Sequence, residues 1–142
     1  MLFYKTTKRG THINFFSINA ELDTEAGYTD IKDRQALNPD NFIFSVNDDV
    51  AITLICPIFK HVGLSFNLHD CDKYTPKELK LIISELNILL YMTPSKLNKY
   101  FDTPYTVNFD KDYLQLIELL EHLKNSFQIS VRKNLHVIAD DF

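Results

Sequence analysis

The residues with the most chemical potential stand together at His69-Asp70-Cys71-Asp72. A cysteine nucleophile needs a neighbouring base and a third group to orient that base. His69, His122 and His136 are the available bases for Cys71, and none of them lies in a family-like context. A metal wants three or four ligands at workable spacing. No second CxxC or HxxxH accompanies His69 and Cys71, and His61 lies upstream on the start of an expected strand. The plainer reading is a turn in which Asp70 or Asp72 holds backbone amides ahead of a helix. Carboxylate pairs occur at Asp48-Asp49, Asp110 with Asp112, Glu118 with Glu121, and Asp140-Asp141. Acid–base catalysis needs two carboxyl groups in unequal environments, whereas these pairs sit where caps, turns and solvated helix faces are expected. No catalytic residue, metal site or cofactor is assigned.

Those residues must be carried by a chain of 142 residues, which fits one domain spanning 1–142. Apolar residues make up 45%, with eleven Phe, seven Tyr and no Trp, enough for an aromatic core. Gly10, Gly27 and Gly63 are the only glycines, and none has the spacing of a phosphate-cradling loop. The net charge of −4 argues against direct nucleic-acid binding and suits a neutral or basic protein partner. Lys5, Lys8 and Arg9 form one small basic patch, and Lys73, Lys77 and Lys80 another; neither has the density of a nucleic-acid stripe. No signal-peptide pattern opens the sequence, and the longest apolar run, Val50 to Phe59, is too short to span a bilayer. A cytoplasmic protein is expected.

The elements follow from pattern. Residues 2–18 read as a β-hairpin turning near Arg9-Gly10. Phe42–Val46, Val50–Cys56 and Val62–Leu68 read as further strands, with Asn47-Asp48-Asp49 as a turn and Pro57 closing the second. Thr75-Pro-Lys-Glu78 is a capping box opening a helix over about 75–92, whose stripe is Leu79, Ile82, Ile83, Leu86, Leu89 and Leu90. Ser95 can cap a short helix to residue 101. A second long helix is expected over about 111–133, capped by Asp110, with Leu114, Ile117, Leu120, Leu123 or Lys124, Phe127 and Val131 inside. Asn134 suits a left-handed exit, and Leu135–Ala139 a closing strand. The expectation is an α+β fold: an antiparallel or mixed sheet, two long helices on one face and a short C-terminal strand.

Residues 19–41 are polar and poorly periodic, carrying Asp23, Glu25, Asp30 and Asp33. A long loop inside a compact domain is often functional, and its carboxylates could complement a basic partner. Asp70 and Asp72, at the sheet–helix junction, join these four as the predicted partner-binding residues.

The stretches Gly63–Leu68, Thr75–Leu79, Leu116–Asn125 and Asn134–Val137 resemble the small immunity proteins of bacterial polymorphic-toxin and contact-dependent growth inhibition systems. The resemblance implies a non-enzymatic antidote. Such a protein binds the C-terminal toxin domain of its own system, often a basic nuclease, and blocks its active site. It implies no particular binding residue. Two rivals remain open: a small enzyme using His69, Cys71 and His122, and an oligomeric adaptor with Tyr100, Phe101 and Tyr105 as a self-interface.

Overall fold

A computed structural model describes residues 4–5, 13–18, 39–67, 72–101 and 112–140. The fold is α+β. Among the described residues five strands form one sheet in the order β1-β3-β2-β5-β4, and every pairing is antiparallel. The strands are β1 (Tyr4–Lys5), β2 (Ile13–Ile18), β3 (Phe42–Val46), β4 (Asp72–Tyr74) and β5 (His136–Asp140). The N-terminal hairpin is overturned: β1 pairs with β3, which lies between β1 and β2. The last strand in sequence is interior, flanked by β2 and β4.

Val50–Cys56 is helix rather than strand. A helical run α1 comprises Asp48–Val50, a π-turn at Ala51–Ile55 and Cys56–His61. Asn47 opens it as N-cap, its side chain accepting the Val50 N–H at 2.9 Å. The buried residues Val50, Ala51, Leu54, Ile55, Ile58 and Phe59 recur at helical spacing, so tertiary burial overrides the β-propensity of the run. Pro57 cannot donate an N–H, and in a regular α-helix its ring would crowd the carbonyl four residues back. The π-turn widens the helix just ahead of it, and the Cys56 N–H reaches back to the Ala51 carbonyl. Residues 64–67 follow outside the ladder, so the expected strand over 62–68 is absent among the described residues.

The next helix matches its sequence signal. In α2 (Pro76–Leu89), Thr75 Oγ1 accepts the Glu78 N–H at 3.2 Å and Glu78 Oε1 accepts the Thr75 N–H at 3.0 Å. Pro94 opens α3 (Pro94–Phe101), which is capped by Thr93 rather than Ser95 through the Lys96 N–H at 3.3 Å. The last helix, α4, spans Tyr113–Arg132 with Asp112 at its N-cap position; Asp110 lies outside the described residues. It ends in a Schellman turn. Asn134 takes φ 54°, the Leu135 N–H bonds the Ser130 carbonyl at 2.8 Å, and the Asn134 N–H bonds that of Val131 at 3.0 Å. That turn reverses the chain straight into β5.

Alternation along the strands gives the sheet two faces. Ile13, Phe15, Phe44, Val46, Tyr74, Val137 and Ala139 share one core with the stripes of α1, α2 and α4. Phe15 stacks on Phe44 across the β2–β3 pair, with centroids 4.2 Å apart. The other face holds a smaller cluster of Phe16, Ile18 and Ile138 with Phe42 against it. Beside that cluster Ser45, Asn14 and Asp140 stand in register across three strands, all buried. The expectation that Asp140 belongs to a turn or solvated face is therefore corrected: it is 0% exposed.

The buried face of α4 is rotated from the expected one. Leu116, Leu119, Leu120, Leu123, Phe127 and Ser130 are inside, Ile117 and Val131 are half-buried, and Leu114 is 81% exposed. Phe15→Ala should cost about 3–5 kcal/mol in urea unfolding, the usual scale for emptying a buried Phe site. Leu114→Ala should change stability by less than about 0.5 kcal/mol. Comparable losses for the two would put Leu114 in the core and contradict this rotation.

Candidate functional site

One side of α4 faces the start of β3 across a cleft of about 260 Å³. Ser17, Asp40, Asn41, His122, Ser126 and Lys133 supply its polar lining over an apolar floor that includes Phe42 and Ile43. The cleft follows from a local irregularity. The β2–β3 register shifts between Phe15 and Phe16, so Phe44 and Phe42 oppose consecutive residues and Ile43 is the extra residue of a bulge. A bulge takes backbone groups out of the ladder, and a buried carbonyl then needs another donor. His122 provides it, with Nε2 3.0 Å from the Ile43 oxygen and the ring edge-on to Phe44 at 6.3 Å. A carbonyl can only accept, so Nε2 carries the hydrogen.

Ser17, in the cleft lining, meets the buried Ser130 of α4 in a 2.6 Å hydroxyl–hydroxyl contact. Ser130 also donates to the Ser126 carbonyl at 3.1 Å. One serine has one proton, so the contact between the two hydroxyls is completed by the Ser17 proton. These groups tie α4 to the sheet. Neither serine has His122 as its hydrogen-bond partner, and an activated nucleophile requires that geometry.

The predicted site residues divide as follows. Asp23, Glu25, Asp30, Asp33 and Asp70 lie outside the described residues, as do His69 and Cys71. Asp72 is on β4, and its Oδ2 accepts the Asn67 N–H at 2.8 Å, the backbone-holding role expected of that segment. Cys56 is half-buried, its Sγ 3.9 Å from the Phe66 carbonyl. Burial pushes its thiol up to about 11, with the Asp72 carboxylate adding to the rise, so little thiolate exists at neutral pH. His61 is on the last turn of α1 rather than on a strand, stacked on Tyr100 at 4.4 Å. Burial first, and the Glu85 carboxylate second, push the Tyr100 hydroxyl well above the phenol range. Phe101 is buried and Tyr100 half-buried, so neither serves as an exposed self-interface; Tyr105 lies outside the described residues. Among the described residues no group of three or more His, Cys, Asp or Glu could hold a metal.

Sequence reasoning missed the outward side of the helices. Leu81, Ile88, Tyr91, Leu114 and Ile129 are the exposed large hydrophobic residues among those described. All five lie on α2, α4 or the turn after α2. Their signal was present in the pattern, because α2 carries more apolar residues than one buried stripe can use.

The described elements define an α+β domain with a polar cleft and an apolar outer helix surface. No protein-family model, curated protein or solved structure matches the chain. Among the described residues no helix is long and apolar enough to cross a membrane.

His136 supplies a pH test of this geometry. It opens β5, and its Nδ1 is buried with no hydrogen-bond partner among the described residues. Burial first, then the Lys73 ammonium, lower its pKa from 6.5. The unfolded chain therefore takes up this proton before the folded one does. The stabilisation is complete above 6.5 and is lost as pH falls from there through the lower folded value. Unfolding midpoints should drop between pH about 7.5 and about 5, and His136→Gln should shrink that drop. An identical pH profile in the variant would place the titration elsewhere.

Proposed function

We propose that this chain is a binding protein rather than an enzyme, and specifically an immunity protein acting in the cytoplasm against a cognate toxin. The observation that carries the reading is how its reactive side chains are used. His122 holds a bulge carbonyl, Asp72 holds a loop amide and Glu78 completes a helix cap. The Cys56 thiol is raised and packed against a carbonyl. Groups fixed in this way stabilise the fold and leave recognition to the surface. The net charge of −4 favours a basic partner such as a nuclease groove. The stretches over 63–68, 75–79, 116–125 and 134–137, which resemble immunity proteins, support the narrower identification.

The toxin-facing surface is assigned to Asp23, Glu25, Asp30, Asp33, Asp70 and Asp72. Inhibition is by occlusion of the toxin's active site or substrate groove, with no covalent step and no cofactor. The test is co-expression with the toxin domain encoded beside this gene, followed by association kinetics on the purified pair. Growth should be rescued, and Cys71→Ser should rescue as well as the parent chain. Replacing Asp23, Glu25, Asp30 and Asp33 by Ala should slow association by roughly tenfold at low salt and flatten its salt dependence. Failure to rescue sinks the identification, and unchanged kinetics in the quadruple variant retire the surface.

A further inference from the structure

The cleft between α4 and the start of β3 is more than a gap left by the bulge, because its groups are sorted by position. Its helix side is His122, Ser126, Ile129 and the C-cap Lys133, at intervals that set them along one stripe of α4. From the first to the last is about 16 Å along the axis. Two contacts fix which end is which. His122 bonds the Ile43 carbonyl at one end. Two turns on, Ser130 meets Ser17, the residue after the Phe16–Phe42 pair, so α4 passes the start of β3 there. Lys133 therefore stands at the end where Asp40 and Asn41, in a 3-10 turn over Pro39–Asn41, lead into β3. The opposite charges of the cleft gather at one mouth, and an apolar stretch with Phe42 and Ile129 runs from it toward His122.

The polar groups at that mouth differ in what they ask of a ligand. Ser130 donates to the Ser126 carbonyl, so the Ser17 proton lies on Ser130 and the Ser17 oxygen offers lone pairs only. Asp40 is exposed and takes part in an interaction of its own, and an ionised carboxylate has about four acceptor sites. These two groups call for a donor, and Asp40 for a cationic one. Lys133 is exposed, and its ammonium can only donate, so it calls for an anion. A simple anion would sit unfavourably beside Asp40, and a simple cation beside Lys133. A zwitterion matches both.

We infer that the cleft binds a free α-amino acid with an aromatic side chain. Its ammonium meets Asp40 and Ser17, its carboxylate meets Lys133, and its ring lies along Phe42 and Ile129 toward His122. Two charges at one mouth call for an ammonium and a carboxylate on neighbouring atoms. A free amino acid carries both on its α-carbon, and the interior of a peptide carries neither. A volume of about 260 Å³ exceeds what glycine or alanine fills and admits a benzyl or phenol side chain. An apolar enclosure with a few converging polar groups is the usual make-up of a small-molecule site. The inference goes beyond the immunity reading and does not depend on it, because the ligand is measured without the toxin.

The test is titration of the full, isotope-labelled chain with L-phenylalanine, read by amide chemical shifts. Binding should saturate with a Kd between roughly 10 µM and 1 mM, the scale for a ligand of about a dozen heavy atoms. The shifts should centre on residues 40–43 and 126–133. Hydrocinnamate lacks the ammonium and phenethylamine lacks the carboxylate; each should bind at least about tenfold more weakly. Asp40→Asn should weaken L-phenylalanine by about tenfold and leave hydrocinnamate no weaker. Lys133→Gln should weaken L-phenylalanine to a similar degree and leave phenethylamine no weaker. Both positions are exposed, so the unfolding midpoints of the variants should match the parent's. No saturable binding up to about 10 mM overturns the inference. So do shifts centred away from the cleft, a variant that binds L-phenylalanine as the parent does, or a variant that weakens both analogues alike.

Discussion

The fold depends on the pairing of β5 with β2. The five residues of β5 fill the position between β2 and β4, and among the described residues β4 has no other strand neighbour. The pairing runs from Asn14 opposite Asp140 to Ile18 opposite His136, and nearly every residue in it is buried on one face or the other. Such a non-local pairing forms only after the intervening chain has been brought round, at a cost in loop-closure entropy. The Schellman turn at Asn134 fixes the angle at which α4 delivers β5, so the helix layer and the sheet are ordered together. Burial of Val137, Ile138 and Ala139 then supplies the compensating hydrophobic term.

With β5 in place, the polar chemistry of the described chain turns inward to structural work. The β3 bulge needs a donor and finds His122; α2 needs an N-cap and finds Thr75; the loop before β4 finds Asp72. Even the buried row of Ser45, Asn14 and Asp140 is fixed by strand register. The exposed large apolar residues among those described lie on α2, α4 and the turn after α2. A rigid two-helix platform held by a sheet behind it is well suited to protein contact, because little conformational freedom is lost on binding.

Legibility in the sequence followed how local each determinant is. Thr75-Pro-Lys-Glu78 and Asn134 announce a helix start and a helix end, because capping is settled within four residues. The closing strand was legible as the largely apolar stretch that follows the Asn134 exit. The failures are non-local. The β-branched run at 50–56 has the composition of a strand, yet Asn47 caps it and burial at Val50, Ala51, Leu54, Ile55, Ile58 and Phe59 makes it a helix. Insertion of β3 between β1 and β2 cannot be read from residues 2–18 alone. Leu114 was placed inside α4 because an apolar residue at helical spacing carries no mark of which helix face meets the core. Of the predicted site residues, Asp72 alone is described, and its Oδ2 accepts the Asn67 N–H; the exposed apolar residues of the helices were not anticipated.

The most direct measurement of the central claim is native-state amide hydrogen exchange across the sheet and helix layer. If β5 is the strand on which the rest is ordered, the amides of β2 and β5 that bond one another exchange only through global unfolding. They should then share one opening free energy with the buried side of α4. Exchange of β5 through a smaller, local opening, with β2, β3 and α4 still protected, would show that the sheet and the helix platform stand without it.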